Sequence, residues 1–280
     1  MLQDLDFGRL ENEFRNVDAA AEDVILCFHG GQVLLRREAD DGLTLPTLAT
    51  MTKWATPTAP RYLFRLLDRN YFLWTDDAPL SPDGGYAYEP VRQLRQMKSR
   101  EICYGVMTGW HLYNWYRANR FCGCCGTPTE HDTKERMLRC PSCGNMIFPR
   151  ISPAVIVAVT NGDRLLLSKY AGRAYTRYAL LAGYTEIGET IEQTVHREVL
   201  EEVGLRVKNL RYYKSQPWGV DGNVLMGFYC DVDGSDEIRI DETELAMAGW
   251  YPRDALPARD DGISLTREMI RVFEEGREPR

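Results

Sequence analysis

Hydrophobic positions change their period along the chain, and the changes mark out its elements. Short β-prone runs at Val24–Phe28 and Val33–Arg36 flank Gly30-Gly31, and runs at Tyr62–Leu67 and Tyr71–Trp74 flank Asp68-Arg-Asn70, both in the style of hairpins. The pattern then turns helical over Thr108–Arg120, with Trp110, Tyr113 and Trp115 near the apolar side. Ile151–Thr160 predicts a buried strand, Asn161-Gly162 a hairpin turn and Leu165–Lys169 the return strand. Next comes an amphipathic helix: Ile191, Val195, Val199 and Val203 form its stripe, Thr190 and Gln193 a capping box at its start, and Gly204 a C-terminal stop. Strands are expected near Val207–Ser215, Val224–Val232 and Gly249–Tyr251, and a terminal helix begins at Ser264 as its N-cap. Mixed strands with one central and one terminal helix predict an α/β sandwich. The expected organisation is a β-rich N-terminal domain over 1–118, a small module over 119–150 and the sandwich over 151–280.

The chain has 280 residues, 44% apolar and 27% charged, enough to bury two conventional cores. Its net charge of −7 argues against a broad electrostatic footprint for nucleic acid. An acidic protein acting on a polyanion must bring cations to its site. The opening Met1-Leu-Gln-Asp-Leu-Asp6 lacks the basic and apolar regions of a signal peptide, and the longest strongly apolar run, Ala154 to Val159, is too short to span a bilayer. The expectation is a cytoplasmic protein with no membrane partner.

Five of the eight cysteines fall between 122 and 143, and four make the pattern Cys122-x2-Cys125-x14-Cys140-x2-Cys143. Two such knuckles supply four thiolates to a tetrahedral, structural Zn²⁺ with no open position. A disulfide pair is the alternative, disfavoured in a reducing compartment. Cys124 is off register, and Cys27, Cys103 and Cys230 read as small core residues.

Glu198, Glu201 and Glu202 stand at i, i+3 and i+4, so one helix face carries three carboxylates. Alone they repel; a hard divalent cation such as Mg²⁺ or Mn²⁺ takes oxygen ligands and neutralises them. A solvated acidic face is the ordinary alternative. The surroundings decide between them, because Gly183 to Leu205 reads G-x5-E-x7-R-E-U-x-E-E-x-G-U, with U apolar, which is the Nudix box. Arg197, one turn from the acids, is placed to orient a glutamate, and Glu189 to pair with it.

The four-cysteine ribbon, the box and Ser215-Gln-Pro-Trp218 beyond it together resemble the NADH pyrophosphatase subfamily of Nudix hydrolases. The resemblance is good over residues 119 to 280 and weak before them. It implies a homodimeric Nudix fold that splits NAD(H) at its pyrophosphate into nicotinamide mononucleotide and AMP, and that in some members removes NAD caps from RNA 5′ ends. It further implies that Glu198, Glu202 and Glu244, with the Ala182 carbonyl, bind the catalytic metal, with Glu201 a further ligand or base. Phe148 and Tyr184 match aromatics that sandwich the nicotinamide ring, one from each subunit. Gln216, Pro217, Trp218, Asn223, Arg92 and Thr266 match substrate-contacting positions. The family signature continues Ser-Gln-Pro-Trp-Pro-Phe-Pro-x-Ser, whereas this chain has Gly219-Val-Asp-Gly-Asn223, which puts Asp221 beside a pyrophosphate site. That departure keeps open a Nudix pyrophosphatase for ADP-ribose or dinucleoside polyphosphates. A non-catalytic nucleotide sensor is the reading from another class.

Overall fold

The computed structural model describes all residues except 6–9, 57–58, 77, 97–98, 173–176 and 258–261. The chain divides into two compact units: residues 2–150 with 218–222, and residues 151–217 and 223–280 with Met1. Among the described residues no helix is long and apolar enough to cross a membrane.

The N-terminal unit contains β1 (Leu10–Glu11), β2 (Val24–Leu26), β3 (Phe28–His29), β4 (Gln32–Arg37), β5 (Leu43–Thr44), the short α1 (Leu48–Met51), β6 (Arg61–Leu66), β7 (Arg69–Leu73), β8 (Tyr86–Pro90) and α2 (Arg100–Ala118). One sheet runs β1-β6-β7-β2; the other runs β3-β4-β5, with β8 on β4. The run Val24–Phe28, expected as one hairpin arm, is divided at Cys27: β2 pairs parallel with β7, and β3 pairs antiparallel with β4. Each half follows the partner that buries its apolar face. The second hairpin turns at Leu67-Asp68, not at 68–70, with Leu67 in the left-handed region at φ 54°. Helix α2 starts eight residues before the pattern suggested. Its first turns bury Cys103, Tyr104, Val106 and Met107, and Gly109 lets it settle on Leu26, which a Cβ there would meet at 2.1 Å.

The same unit holds a three-stranded ribbon of β9 (Glu130–His131), β10 (Leu138–Arg139) and β11 (Met146–Ile147), in the order β11-β10-β9. The Arg136 guanidinium donates to the backbone carbonyls of Leu63 and Asn12, which ties the ribbon to β6.

The C-terminal unit is built on β12 (Ser152–Asn161), followed by β13 (Arg164–Tyr170), β14 (Leu181–Tyr184), α3 (Ile191–Val203), β15 (Val207–Trp218), β16 (Asn223–Val232), β17 (Leu245–Pro252) and α4 (Leu265–Glu274). The sheet runs β15-β16-β12-β13-β17, with β14 also on β12. Alternation along β12 sends Val155, Val157 and Val159 into the core beneath α3, with Val195, Val199 and Val203. Ile156 and Ala158 face the opposite core with Leu265, Met269 and Phe273 of α4. The result is an α-β-α sandwich with a mixed sheet, since β16 runs parallel to β12 and β14 antiparallel.

Candidate active site

Helix α3 is fixed at both ends by its own sequence. Thr190 Oγ1 accepts from the Gln193 backbone and Gln193 returns the bond to Thr190 N–H, a complete capping box; Gly204 ends the helix at φ 71°. With the valine stripe buried, the acidic residues are divided by depth. Glu202 is 2% exposed and Glu198 9%, whereas the Glu201 side chain is 58% exposed. The loop before β17, which carries Glu244, folds back on α3, where Asp241 N–H donates to the Glu202 carbonyl at 3.0 Å.

Arg197 gathers the acids. Its Nε and Nη2 donate to the two Glu189 oxygens at 2.6 and 2.9 Å, Nη1 to Glu198 at 2.8 Å and Glu201 at 2.9 Å, and Nη2 also to the Tyr184 carbonyl at 2.9 Å. The arginine holds Glu189 far below the usual carboxylate range, at about 2. Burial works the other way on Glu198 and pushes its pKa up, so a cation beside it is favoured in both folding and chemistry. Thr194, which no sequence signal singled out, is fully buried and donates to Glu189 at 3.0 Å.

Strand β14 runs directly beside the Glu198 carboxylate. A Cβ on Gly183 would lie 1.8 Å from Glu198 Cδ, so the first glycine of the box leaves room for an acid, and the Ala182-Gly183 backbone borders it. The donors here are oxygens only, which suits a hard divalent ion. Among the described residues, the carboxylates are not drawn into one closed ligand set in the way the cysteines are.

In the ribbon, Cys122, Cys125, Cys140 and Cys143 have all four sulfurs within 4.8 Å of one another, with separations of 3.4 to 3.6 Å for three of the pairs. A tetrahedron of Zn–S bonds of about 2.3 Å has edges of about 3.8 Å, so the four thiols fit zinc. Backbone N–H groups of Cys124 and Cys125 lower the Cys122 pKa to about 6, toward the thiolate a metal needs. Cys124 lies outside the group and is exposed, while Cys27, Cys103 and Cys230 are buried.

A NUDIX domain model matches residues 150–273, and an NADH pyrophosphatase zinc ribbon model matches residues 117–148. The chain is 44% identical over 160 residues to the NAD-capped RNA hydrolase NudC of Chromobacterium violaceum, covering 57% of this chain and 60% of that protein. It is 40% identical over 191 residues to the protein of the same name from Pseudomonas aeruginosa, covering 68% of each. The chain belongs to the NADH pyrophosphatase group of Nudix hydrolases. Against the Erwinia tasmaniensis NAD-capped RNA hydrolase NudC, the identity is 38% over 65% of this chain and 70% of that protein, so the matches span 60 to 70% of these relatives.

The other positions implied by family resemblance fall in several places. Phe148 and Tyr184 are 53% and 51% exposed, so neither is a core aromatic; Phe148 belongs to the N-terminal unit and Tyr184 to the C-terminal one. Gln216 is fully buried, donates to the Ile263 carbonyl at 2.8 Å and accepts from Leu265 N–H at 2.7 Å, so its amide anchors the start of α4. Pro217 is exposed, and Trp218 and Thr266 are half-buried. Asn223 is 8% exposed and takes a hydrogen bond from the Tyr184 hydroxyl. Asp221 accepts from Arg92 at 2.5 Å and from the Trp218 indole at 3.1 Å. The altered loop is also moulded around its glycine, since a Cβ on Gly219 would lie 2.2 Å from the Met107 carbonyl oxygen.

Proposed function

We propose that this Nudix hydrolase cleaves the pyrophosphate bond of NAD(H) to nicotinamide mononucleotide and AMP, and that it also removes NAD caps from RNA 5′ ends. The observation that carries this reading is the Arg197 cluster of Glu189, Glu198 and Glu201 at helix α3, packed against Gly183 of β14, in a chain about 40% identical to NAD-capped RNA hydrolases. Glu198, Glu202, Glu244 and the Ala182 carbonyl would hold Mg²⁺ or Mn²⁺, which supplies Lewis acidity to neutralise the pyrophosphate and acidify a water. Arg197 fixes the carboxylates in advance, so they need not reorganise when the substrate arrives. Glu201, the exposed acid, is free to take a proton from the attacking water while Arg197 steadies it. Tyr184 and Phe148 offer aromatic faces to a base, one from each subunit of a homodimer. The ribbon cysteines hold zinc for structure alone.

The loop Gly219–Asn223 favours a second reading, in which ADP-ribose is the preferred substrate. Product analysis separates the two, with NADH, ADP-ribose and NAD-capped RNA each incubated with Mg²⁺ or Mn²⁺. The expected result is nicotinamide mononucleotide and AMP from NADH, lost in Glu202→Gln; cleavage of ADP-ribose alone would overturn the NAD(H) reading.

A further inference from the structure

Tyr184 exposes half its surface, yet it is pinned at both ends. Its carbonyl accepts from Arg197 Nη2 at 2.9 Å, and its hydroxyl donates to Asn223 Oδ1 at 3.1 Å. In register, Tyr184 lies opposite Ala154 on one edge of β12, and Asn223 lies opposite Ser152 on the other edge. The side chains therefore meet diagonally across the central strand, over a backbone separation of about 12 Å, two strand spacings sideways and two residues along. A tyrosine reaching toward an asparagine closes that distance. The backbone bond to Arg197 ties the same residue to the carboxylate cluster.

An exposed aromatic on a single χ1–χ2 arm ordinarily loses rotamer freedom when a base stacks on it, and that loss weakens binding. Here the hydrogen bond at the tip has already restricted the ring. We propose that Asn223 is a positioning residue: its amide oxygen sets the Tyr184 ring as a ready platform for the nicotinamide base of the dinucleotide, and does not itself contact the substrate. This inference rests on the proposed NAD(H) hydrolysis and deepens it, because it separates recognition of the base from the pyrophosphate chemistry. A purely structural role for the same hydrogen bond would disturb all substrates alike.

The experiment compares NADH with ADP-ribose, which carries the same pyrophosphate and adenosine but no nicotinamide ring. Full-length wild type, Asn223→Ala, Tyr184→Phe and the double variant are assayed with Mg²⁺ or Mn²⁺ for kcat and KM on NADH, and for KM or competitive inhibition constant with ADP-ribose. Tyr184→Phe keeps the ring and removes one oxygen, so it tests the bond even if Asn223→Ala folds poorly. The expected result is a rise in NADH KM of about threefold to tenfold in each single variant, with kcat nearly constant. ADP-ribose constants stay at the wild-type value, and the double variant is no worse than either single one. An equal rise for ADP-ribose, or an unchanged NADH KM in Tyr184→Phe, overturns the inference while leaving NAD(H) hydrolysis standing. A wild type that cleaves no NADH overturns the functional reading itself.

Discussion

Placing a methyl group on Gly183 tests whether the Glu198 carboxylate works from the seat the fold gives it. Gly183 pairs with Val155 in β14 and is not in the left-handed region, so the backbone itself accepts alanine. The new Cβ would lie 1.8 Å from Glu198 Cδ and 2.0 and 2.1 Å from its oxygens. Restoring an ordinary contact at 3.4 Å moves the carboxylate by 3.4 − 1.8, or about 1.6 Å. Because the carboxylate ends a flexible chain it can swing away, and the cost is chiefly its 2.8 Å bond to Arg197, about 1–2 kcal/mol after solvent screening. On a protein of this size that lowers Tm by about 2–8 °C. Catalysis suffers more, since displacing a reacting group by more than about 1 Å costs about a hundredfold. Initial rates on NADH and thermal melts of Gly183→Ala, Glu198→Ala and the double variant separate the two effects. Once Glu198 is alanine the space is vacant, so adding the Gly183 methyl should cost less than about 0.5 kcal/mol further. A Gly183→Ala enzyme with the wild-type rate, or one whose loss of stability is unchanged in the Glu198→Ala background, would refute this reasoning.

Four further outcomes follow from the same geometry. Arg197→Lys replaces a planar fork serving Glu189, Glu198, Glu201 and the Tyr184 carbonyl with a point charge, and kcat/KM on NADH should fall at least about tenfold; retention of the rate would show that the fork is dispensable. Cys140→Ser should lower the metal content measured on purified protein from about one zinc per chain toward zero and bring forward the first melting transition, whereas an unchanged zinc content would exclude the four-thiolate site. Gln216→Ala removes the bonds to the Ile263 carbonyl and the Leu265 N–H, for a loss of about 2 kcal/mol in urea unfolding; an undiminished midpoint would mean α4 needs no anchor there. Burial alone would raise the Glu268 pKa, but bonds from Lys214 and Tyr213 outweigh it and hold it at about 2. The folded value is therefore below the unfolded one, and the stability it contributes is present above the unfolded pKa and lost as pH falls toward 2. The stability gap between wild type and Glu268→Gln should narrow as pH falls from about 7 to about 3, and a pH-independent gap would show that the ionised pair contributes nothing.

Much of the chemistry was legible before the fold because it is set by short covalent spacings. The i, i+3 and i+4 placement of Glu198, Glu201 and Glu202, the Thr190–Gln193 cap and the paired cysteine knuckles depend on helix pitch and turn geometry within a few residues. The Thr190–Gln193 box and Gly204 also marked the two ends of α3. Sequence therefore determined by itself that an acidic helix and a zinc ribbon exist in this chain, and approximately where each begins and ends.

Tertiary structure decided how those acids differ. Glu198 and Glu202 are buried and Glu201 exposed because the apolar stripe rests on β12, a relation set by sheet pairing between segments about thirty-five residues or more apart. The division of the first apolar run at Cys27, the anchoring of α4 by Gln216, the pairing of Asp221 with Arg92 and the Tyr184–Asn223 bond across β12 were equally out of reach, since each joins groups whose proximity no local spacing encodes. In each case a polar residue takes its role from the long-range partner that packing brings within hydrogen-bond distance, and a residue's type alone does not name that partner.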